Sequence, residues 1–416
     1  MLKKYNLIKK CRLCESKKLK SIFNLGKTPL ANSLVKISDL KRKQNVYPLG
    51  LKFCLKCNHV QLTHSVKPEI MFENYLYLSN TSKQNREHFK KYANIITKKF
   101  YKNKKLKILD IASNDGTFLS YFSKKKFNRV GIDPAKNLIK FAKKNKIKQL
   151  PIFFTSKNSH NLFKKFGKFE IITANNVCAH VENLNDFFNG VSNILDKKGV
   201  FIFEVSYLAD VIQKRTFDTI YHEHLDYHSL GPLINFVKKF KLEIFDFQLT
   251  HAQGGSIRIF VSHQNSKKKN ISKIKKQILM EKNKYRLFKP NTYILFSKSV
   301  KKRGTELKKL LNKLKRQRKK IIGYGAAAKT TTLTSFFKIN SKYLNFIVDD
   351  NYLKQNLYTP NYKVPIKHSN EIYKNKPDYI IILAWNYAEH ILQKHKELKK
   401  KNVKFIIPFP EVKIVK

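Results

Sequence analysis

The chain has 416 residues, enough for several compact units that each bury a core. Its 42% apolar content excludes a disordered protein, and no apolar run is long enough for a membrane helix. The net charge of +58 is carried by 76 Lys against 10 Arg spread over the whole chain, and the scarcity of arginine argues against a specific nucleic-acid partner.

Two Cys-x-x-Cys pairs predict a zinc-binding module over residues 1–70. The pairs are Cys11–Cys14 and Cys54–Cys57, separated by 39 residues, while Cys178 stands alone. Both pairs can bind the same zinc ion, each through a tight turn. Four thiolate ligands fill the tetrahedral coordination of zinc and leave no open position. Disulfides are disfavoured in a reducing compartment. We therefore expect a structural Zn²⁺ that takes no part in chemistry.

Short apolar runs alternate with helical stretches over residues 71–263. Such runs are typical of a parallel sheet covered by helices on both faces. Five alternating units followed by a hairpin predict a doubly wound α/β domain with a seven-stranded, Rossmann-like methyltransferase sheet. The predicted strands are 107–112, 129–133, 151–155, 170–175, 200–205, 242–247 and 256–261.

A helical connector is predicted over 264–319 and a second Rossmann-like α/β domain over 320–416. The strands of this C-terminal domain are expected at 320–326, 344–350, 378–385 and 403–409. Gly323-x-Gly325, with Asp349 about 26 residues later, imitates a dinucleotide motif. The third glycine is missing, and so is the Gly-Lys-Thr of a phosphate-binding loop. We therefore expect a cover domain without a second cofactor.

The loop after the first strand of the large sheet, Asp110–Thr117, carries the strongest cofactor signal. Its small residues let the backbone approach a ligand, and Asp133, about 20 residues on, can accept both ribose hydroxyls of an adenosine. A polar loop without Gly-x-Gly-x-x-Gly suits the amino acid and sulfonium of S-adenosylmethionine better than a pyrophosphate. The predicted cofactor residues are Asp110, Ala112, Ser113, Asn114, Gly116, Asp133, Asn175 and Asn176.

Residues Tyr221–His228, called the histidine segment below, read Y-H-E-H-L-D-Y-H. Three imidazoles, two phenols and two carboxylates supply every group needed for proton transfer near neutral pH. His222 and His224 alternate, so in an extended stretch at most one of them faces a given reacting atom. A His-x-His metal site is the alternative for these residues. His180, which follows the fourth strand, should reach the same rim of the sheet.

In their shared order, these motifs resemble the nucleotide-sugar C-methyltransferases of deoxysugar biosynthesis, essentially from end to end. The chain departs from that family's pattern at Ala112, where glycine is usual, at Ala384, where proline is common, and at Ala327 and Thr330. The segments that carry the resemblance are the four cysteines, Met71–Ser79, Ser113–Thr117, Asn175–His180, Tyr221–Tyr227, Gly254–Arg258, Gly323–Lys329, Val348–Asn351 and Ala384–Asn386.

The resemblance implies methylation of a ring carbon α to the ketone of a nucleotide-activated (dTDP-type) keto-deoxysugar, through a base-generated enolate. By motif position it makes His224 the base, with His222 as the alternative. Glu223 would orient or polarise that base. The remaining implied roles are oxyanion donors at Tyr221 and His180, walls of the site at Tyr75 and Tyr77, and a contact near the sugar phosphates at Lys329.

Other functions stay open from the residues alone. One is methylation of RNA or of a small molecule at oxygen or nitrogen, and another is a non-catalytic binding or scaffold protein. An RNA enzyme should show aromatic-basic interleaving or an RNA-binding module, which the sequence lacks, and the intact histidine segment speaks against a scaffold. With no secretory signal visible, we expect a monomer in the cytoplasm acting on a nucleotide sugar. The sequence indicates neither the sugar nor the ring carbon.

Overall fold

The computed structural model describes residues 4–72, 75 and 78–416. A seven-stranded sheet forms its centre, with the strands in chain order 3-2-1-4-5-7-6. Five strands run parallel, and the sixth position is held by a strand antiparallel to both of its neighbours, which makes the predicted hairpin. From one edge the strands are Lys148–Leu150, Phe127–Ile132, Leu106–Ile111, Phe169–Asn175, Leu195–Ser206, Ser256–His263 and Leu242–Thr250.

The central strands form where the sequence is apolar at nearly every position. Ile108, Leu109, Ile171 and Ile172 are fully buried because helices cover both faces of the sheet. The strand predicted at 151–155 is wrong. The structure places the third strand at Lys148–Leu150, and the apolar run that follows has no regular structure because it lines a cavity at the sheet's edge.

Helices cover this sheet, and side-chain caps start three of them. Ser82, Thr155 and Asn183 each accept a hydrogen bond from a backbone N–H in the first turn that lacks a helical partner. The helices are Lys83–Phe100, Thr117–Ser120, Ile139–Lys144, Ser156–Phe166, Leu184–Ile194, Leu208–Gln213 and Leu230–Lys238, with 3₁₀ turns at Ser79–Thr81, Lys136–Leu138, Phe217–Thr219 and Ala252–Gly254.

The N-terminal module contains a four-stranded antiparallel sheet whose outermost strand belongs to the histidine segment. The order is Asp226–Tyr227, Val60–Leu62, Tyr47–Cys54 and Leu19–Thr28. A second pair joins Tyr5–Leu7 to His64–Val66, and Ile37–Asp39 and Pro68–Phe72 are helical. The histidine segment is therefore joined to the module's sheet two residues after the catalytic candidate His224.

The connector is helical and leads into a six-stranded C-terminal sheet. Its helices are Ile271–Leu279, the π-helix Met280–Lys284 and Pro290–Arg316. The sheet runs Ile366–Lys367, Ile347–Val348, Ile321–Tyr324, Tyr379–Ile382, Lys404–Ile407 and Lys413–Val415, of which the first and last strands were not predicted. Around it lie Ala328–Phe337, Tyr352–Lys354, Glu371–Asn375, Trp385–Tyr387, Ala388–Lys394 and Lys396–Lys400. We propose that the folded chain divides into domains at the predicted boundaries, after residues 70, 263 and 319.

The C-terminal domain packs directly on residues that precede the histidine segment. Thr331 Oγ1 donates to the carbonyl of Ala31, and Thr332 Oγ1 donates to that of Ile220, both at 2.9 Å. Trp385 Nε1 donates to Asp218 at 2.7 Å in a fully buried contact. Among the described helices, none combines the length and apolar character of a membrane span.

Candidate active site

Four cysteine thiols converge in the N-terminal module. The Sγ atoms of Cys11, Cys14, Cys54 and Cys57 all lie within 4.8 Å of one another. The Cys11–Cys57 and Cys14–Cys54 sulfur pairs are 3.5 Å apart, close to the roughly 3.8 Å edge of a tetrahedral zinc–thiolate site. No cysteine in the described chain is in a disulfide, and Cys178 lies buried away from this cluster. The donor set fits one structural zinc ion.

The cofactor loop is folded around a carboxylate at the end of the second strand. Asp133 accepts backbone hydrogen bonds from Asn114 and Ala135, both at 2.9 Å. Gly116 (φ 74°) starts the next helix in the left-handed conformation, and Ala112 (φ 54°) also lies in that region. Glycine, which is usual at position 112 in the family that the sequence resembles, would adopt this conformation without strain.

Burial raises the pKa of two acids at the carboxyl ends of neighbouring strands. The pKa of Asp110 rises to about 7, opposed by a 2.6 Å hydrogen bond from Thr173, and that of Asp133 rises to about 6. A carboxylate held out of water favours a bound cation or a hydroxyl donor. Both groups are therefore set to receive a polar, positively charged ligand.

A cavity of about 470 Å³ opens beside this loop. Its described lining contains six acidic residues and no lysine or arginine, in a chain with 86 of them. Phe72, Phe118, Phe153 and Phe154 supply apolar walls. Seven predicted cofactor residues lie in the lining, namely Asp110, Ala112, Ser113, Asn114, Asp133, Asn175 and Asn176, and the acids are Glu69, Asp110, Asp133, Glu182, Asp186 and Glu204. The cavity thus selects a cation with an apolar surface.

Asn175 provides an independent sign that a ligand belongs in this cavity. Its Nδ2 donates to Asp110 at 3.4 Å, whereas its Oδ1 is buried and has no hydrogen-bond partner in the described chain. An unpaired buried acceptor costs roughly 1–3 kcal/mol unless a ligand satisfies it. The ammonium, sulfonium and adenine of S-adenosylmethionine fit the acids, the free acceptor and the aromatic walls.

His224 and Tyr221 form a hydrogen-bonded pair. His224 Nδ1 lies 2.7 Å from the carbonyl of Thr219, which only accepts, so this nitrogen carries the proton. His224 Nε2 is then free of a proton and accepts from the Tyr221 hydroxyl at 2.9 Å. Burial, reinforced by neighbouring His180, holds the pKa of His224 well below its ordinary value. The imidazole is therefore neutral at physiological pH.

His180 joins the histidine pair to the cofactor cavity. Its ring lines the cavity and stacks on His224 with centroids 4.9 Å apart, and on Phe72 from the other side. Burial lowers the pKa of His180 to about 4, and its buried Nε2 has no partner in the described chain. A neutral imidazole with a free ring nitrogen can bind a polar atom of a substrate.

Glu223 faces partners that the sequence did not indicate. Its Oε1 accepts from Asn32 of the N-terminal module at 2.6 Å, and its Oε2 accepts from the Tyr75 hydroxyl at 2.9 Å. Burial raises the pKa of Glu223 to about 7. Tyr75 lines the cavity, so the carboxyl group is linked to the site through the Tyr75 hydroxyl.

His222 and Lys329 are not among the residues that line the cavity. His222 is buried on the opposite side, with Nε2 3.3 Å from the Tyr47 carbonyl and its ring against Tyr47. Lys329 donates to the carbonyl of Gln253, which lines the cavity, and its charge helps to lower the pKa of His224. Tyr77 is outside the described residues.

The glycine loop of the C-terminal domain is closed by its own acid. Asp349 Oδ2 accepts from the backbone N–H of Ala326 at 2.7 Å, and the Lys354 ammonium donates to the Ala326 carbonyl at 2.9 Å. These contacts tie the turn after Ile321–Tyr324 to the residues that follow Ile347–Val348.

The matches to known protein families correspond closely to this architecture. Residues 11–72 match the model of a zinc binding domain, residues 80–245 that of a methyltransferase domain, and residues 251–410 that of a C-methyltransferase C-terminal domain. The chain is 27% identical over 408 residues to the C-methyltransferase NovU of Streptomyces niveus, covering 98% of this chain and 97% of that protein.

Solved structures of other proteins match less than half of the chain. An S-adenosylmethionine-dependent methyltransferase from Clostridium acetobutylicum is 18% identical, covering 42% of this chain and 92% of its own, with a TM-score of 0.34. The PH0226 protein from Pyrococcus horikoshii is 14% identical, covering 46% and 96%, with a TM-score of 0.35.

The 3-2-1-4-5-7-6 sheet with a cofactor loop after its first strand defines an S-adenosylmethionine-dependent methyltransferase. The zinc binding domain before it and the C-terminal domain after it make the assignment narrower. Along nearly its whole length the chain is therefore similar to a C-methyltransferase, and its three parts match these family models in order.

Zinc binding should depend on the four cysteines of the cluster and not on Cys178. We expect one zinc ion per chain by elemental mass spectrometry, and Cys54→Ser should lose it because a serine hydroxyl is a poor replacement for a thiolate ligand. Cys178→Ser is the matched control, a buried cysteine outside the cluster, and should keep its zinc. Full zinc occupancy in Cys54→Ser would refute the site.

Ala112→Gly should stabilise the protein. A left-handed non-glycine residue costs roughly 1–2 kcal/mol, more than the roughly 0.4–1 kcal/mol that glycine adds to unfolded-chain entropy. The variant should melt up to a few degrees higher in a thermal shift assay while still binding S-adenosylmethionine. Gly116→Ala should act in the opposite direction, because its Cβ would lie 3.0 Å from Ile147 Cγ1. Equal melting temperatures would contradict the strain argument.

Proposed function

We propose that this enzyme methylates a ring carbon next to the ketone of a nucleotide-activated keto-deoxysugar. The observation that carries the proposal is the ring contact between His180, at the wall of the cofactor cavity, and His224, a neutral, half-buried base whose ring centroid lies 4.9 Å from that of His180. A proton α to a ketone is weakly acidic, so the reaction needs a base on one side and hydrogen-bond donors for the enolate oxygen on the other. This group of residues offers both.

Bound in the acidic cavity, S-adenosylmethionine would supply the methyl group: its methyl–sulfur bond would break as the enolate carbon bonds to the methyl, leaving S-adenosylhomocysteine and the re-formed ketone. His224 removes the substrate proton through Nε2, which requires the Tyr221 hydroxyl to turn away from that nitrogen. The freed Tyr221 hydroxyl and the unpaired ring nitrogen of His180 then donate to the enolate oxygen. His224 Nδ1 stays bonded to the Thr219 carbonyl, which fixes the tautomer.

Glu223 and Lys329 complete the substrate side of the proposal. Glu223 holds the Tyr75 hydroxyl at the cavity wall and so fixes the aromatic face beside the sugar. Lys329 belongs to the C-terminal domain, and its ammonium lies close to His224 and to the Gln253 carbonyl at the cavity. We assign it to the charged part of the nucleotide sugar. His222 faces Tyr47 and has no part in this mechanism.

The substrate class can be tested with methyl-labelled S-adenosylmethionine. We expect label in a 4-keto nucleotide sugar, on carbon, and none in bulk RNA. The same nucleotide sugar reduced to the 4-alcohol is the matched control, because without the ketone its ring hydrogens are not acidic. Label in RNA, or equal label in the alcohol, would disprove the proposal.

The base can be tested by hydrogen–deuterium exchange of the substrate in D₂O. His224→Asn should abolish exchange at the reacting carbon while S-adenosylmethionine still binds. Tyr221→Phe should slow both exchange and methylation about 10²-fold without abolishing either, because it removes one donor to the enolate oxygen through which both reactions pass. His222→Asn should retain exchange. If exchange survives in His224→Asn and disappears in His222→Asn, the base is His222.

A further inference from the structure

The side chain of Arg12 starts inside the first zinc-binding pair and ends beside the histidines. It lies between Cys11 and Cys14, yet its Nε contacts both carboxylate oxygens of Asp226 at 3.0 Å. Its Nη1 donates to the carbonyl of Glu182 at 2.8 Å, and its Nη2 donates to that of Val181. One guanidinium therefore holds two loops that are far apart in the sequence.

Both loops carry a residue of the proposed reaction. Val181 follows His180 directly, and Asp226 is two residues beyond His224. The loops also touch through the backbone N–H of Leu225, which donates to the carbonyl of Ala179 at 2.7 Å. The relative position of the two imidazoles is thus set by the groups that Arg12 bridges.

Arg12 is itself fixed in register. Its backbone N–H donates to Gln61 Oε1 at 2.8 Å, and Gln61 Nε2 donates to the Lys10 carbonyl at 3.1 Å. Gln61 lies opposite Asp226 in the sheet that joins Val60–Leu62 to Asp226–Tyr227. The zinc-binding turn, the strand and the histidine segment therefore form one hydrogen-bonded unit.

The contact differs from an ordinary surface ion pair. The Arg12 side chain is 9% exposed and that of Asp226 is fully enclosed, so water cannot replace the lost hydrogen bonds. Arginine alone offers several planar N–H donors at once, whereas a lysine ammonium acts as one point charge. Arg42, 80% exposed and paired with Asp39, is the contrasting case in the same module.

We infer that Arg12 is a positioning residue for methyl transfer, holding the loop of His180 and the segment of His224 at the distance the reaction needs. The inference rests on the proposed function, which gives those histidines their roles. It assigns to the zinc-binding turn a task beyond folding, because the residue between the metal ligands determines the geometry of the site.

Arg12→Lys is the decisive variant, with Arg42→Lys as its matched control. Lysine keeps the positive charge opposite Asp226 but cannot reach Asp226, Glu182 and Val181 together. Zinc content and the S-adenosylmethionine dissociation constant should stay within about twofold of the unsubstituted chain. The value of kcat, and substrate hydrogen exchange with it, should fall by about 10²-fold, as expected for a misplaced catalytic group. Arg42→Lys should change neither.

A second readout does not depend on turnover. In the full-length protein labelled with ¹⁵N-histidine, Arg12→Lys should shift the ring signals of His180 and His224, and Arg42→Lys should not. Unchanged signals and kcat in Arg12→Lys would overturn the inference. Loss of zinc or of S-adenosylmethionine binding would also overturn it, by making Arg12 a folding residue only. If the unsubstituted enzyme neither methylates nor exchanges the keto sugar, the proposed function fails, while the ring signals still test the positioning.

Discussion

The site depends on a short ladder of backbone hydrogen bonds between Asp226–Tyr227 and Val60–Leu62. Through it the histidine segment becomes the edge strand of the zinc-binding module, although it follows the fifth strand of the large sheet. A loop at the rim of a parallel sheet is ordinarily free to move. Here, pairing with a second sheet and the contact of Thr332 with Ile220 hold it from two sides. The sheet of the N-terminal module and the C-terminal domain, rather than the loop's own sequence, thus fix the positions of the imidazoles.

Electrostatics separate the two halves of the reaction. The described lining of the cofactor cavity carries six acidic residues and no lysine or arginine in a chain of net charge +58, so the cation that it selects is not repelled by the abundant lysines. On the other side of His180 the charge is different. There the positively charged Lys329 lies close to neutral His224 and to the Asp218 carboxylate. Burial raises the pKa of Asp218 to about 6, which fits a site where charges are few and paired. The methyl donor and the anionic sugar of the proposed reaction would thus bind in surroundings of different charge.

Much of the fold follows from the sequence because parallel strands must be apolar on both faces, as at 106–111 and 169–175. The same reasoning failed at 151–155, where an apolar run lines a ligand cavity, and it missed two-residue strands such as Ile366–Lys367, which are too short for any periodicity. The convergence of the four cysteines and the position of the loop after the first strand could be predicted because short sequence motifs mark both. The partners of Glu223 were not, because Asn32 is 191 positions away and nothing in its neighbourhood marks it. Arg12 had one signal only, its place between two metal ligands.

The contact of Thr331 with Ala31 spans 300 positions of the chain. Local strands and helices form quickly, whereas contacts of such separation must wait for the intervening segments. During synthesis the methyl-donor cavity can therefore be complete before the C-terminal domain packs against Ala31 and Ile220. A nascent chain can thus bind its methyl donor while the histidine segment is held from one side only.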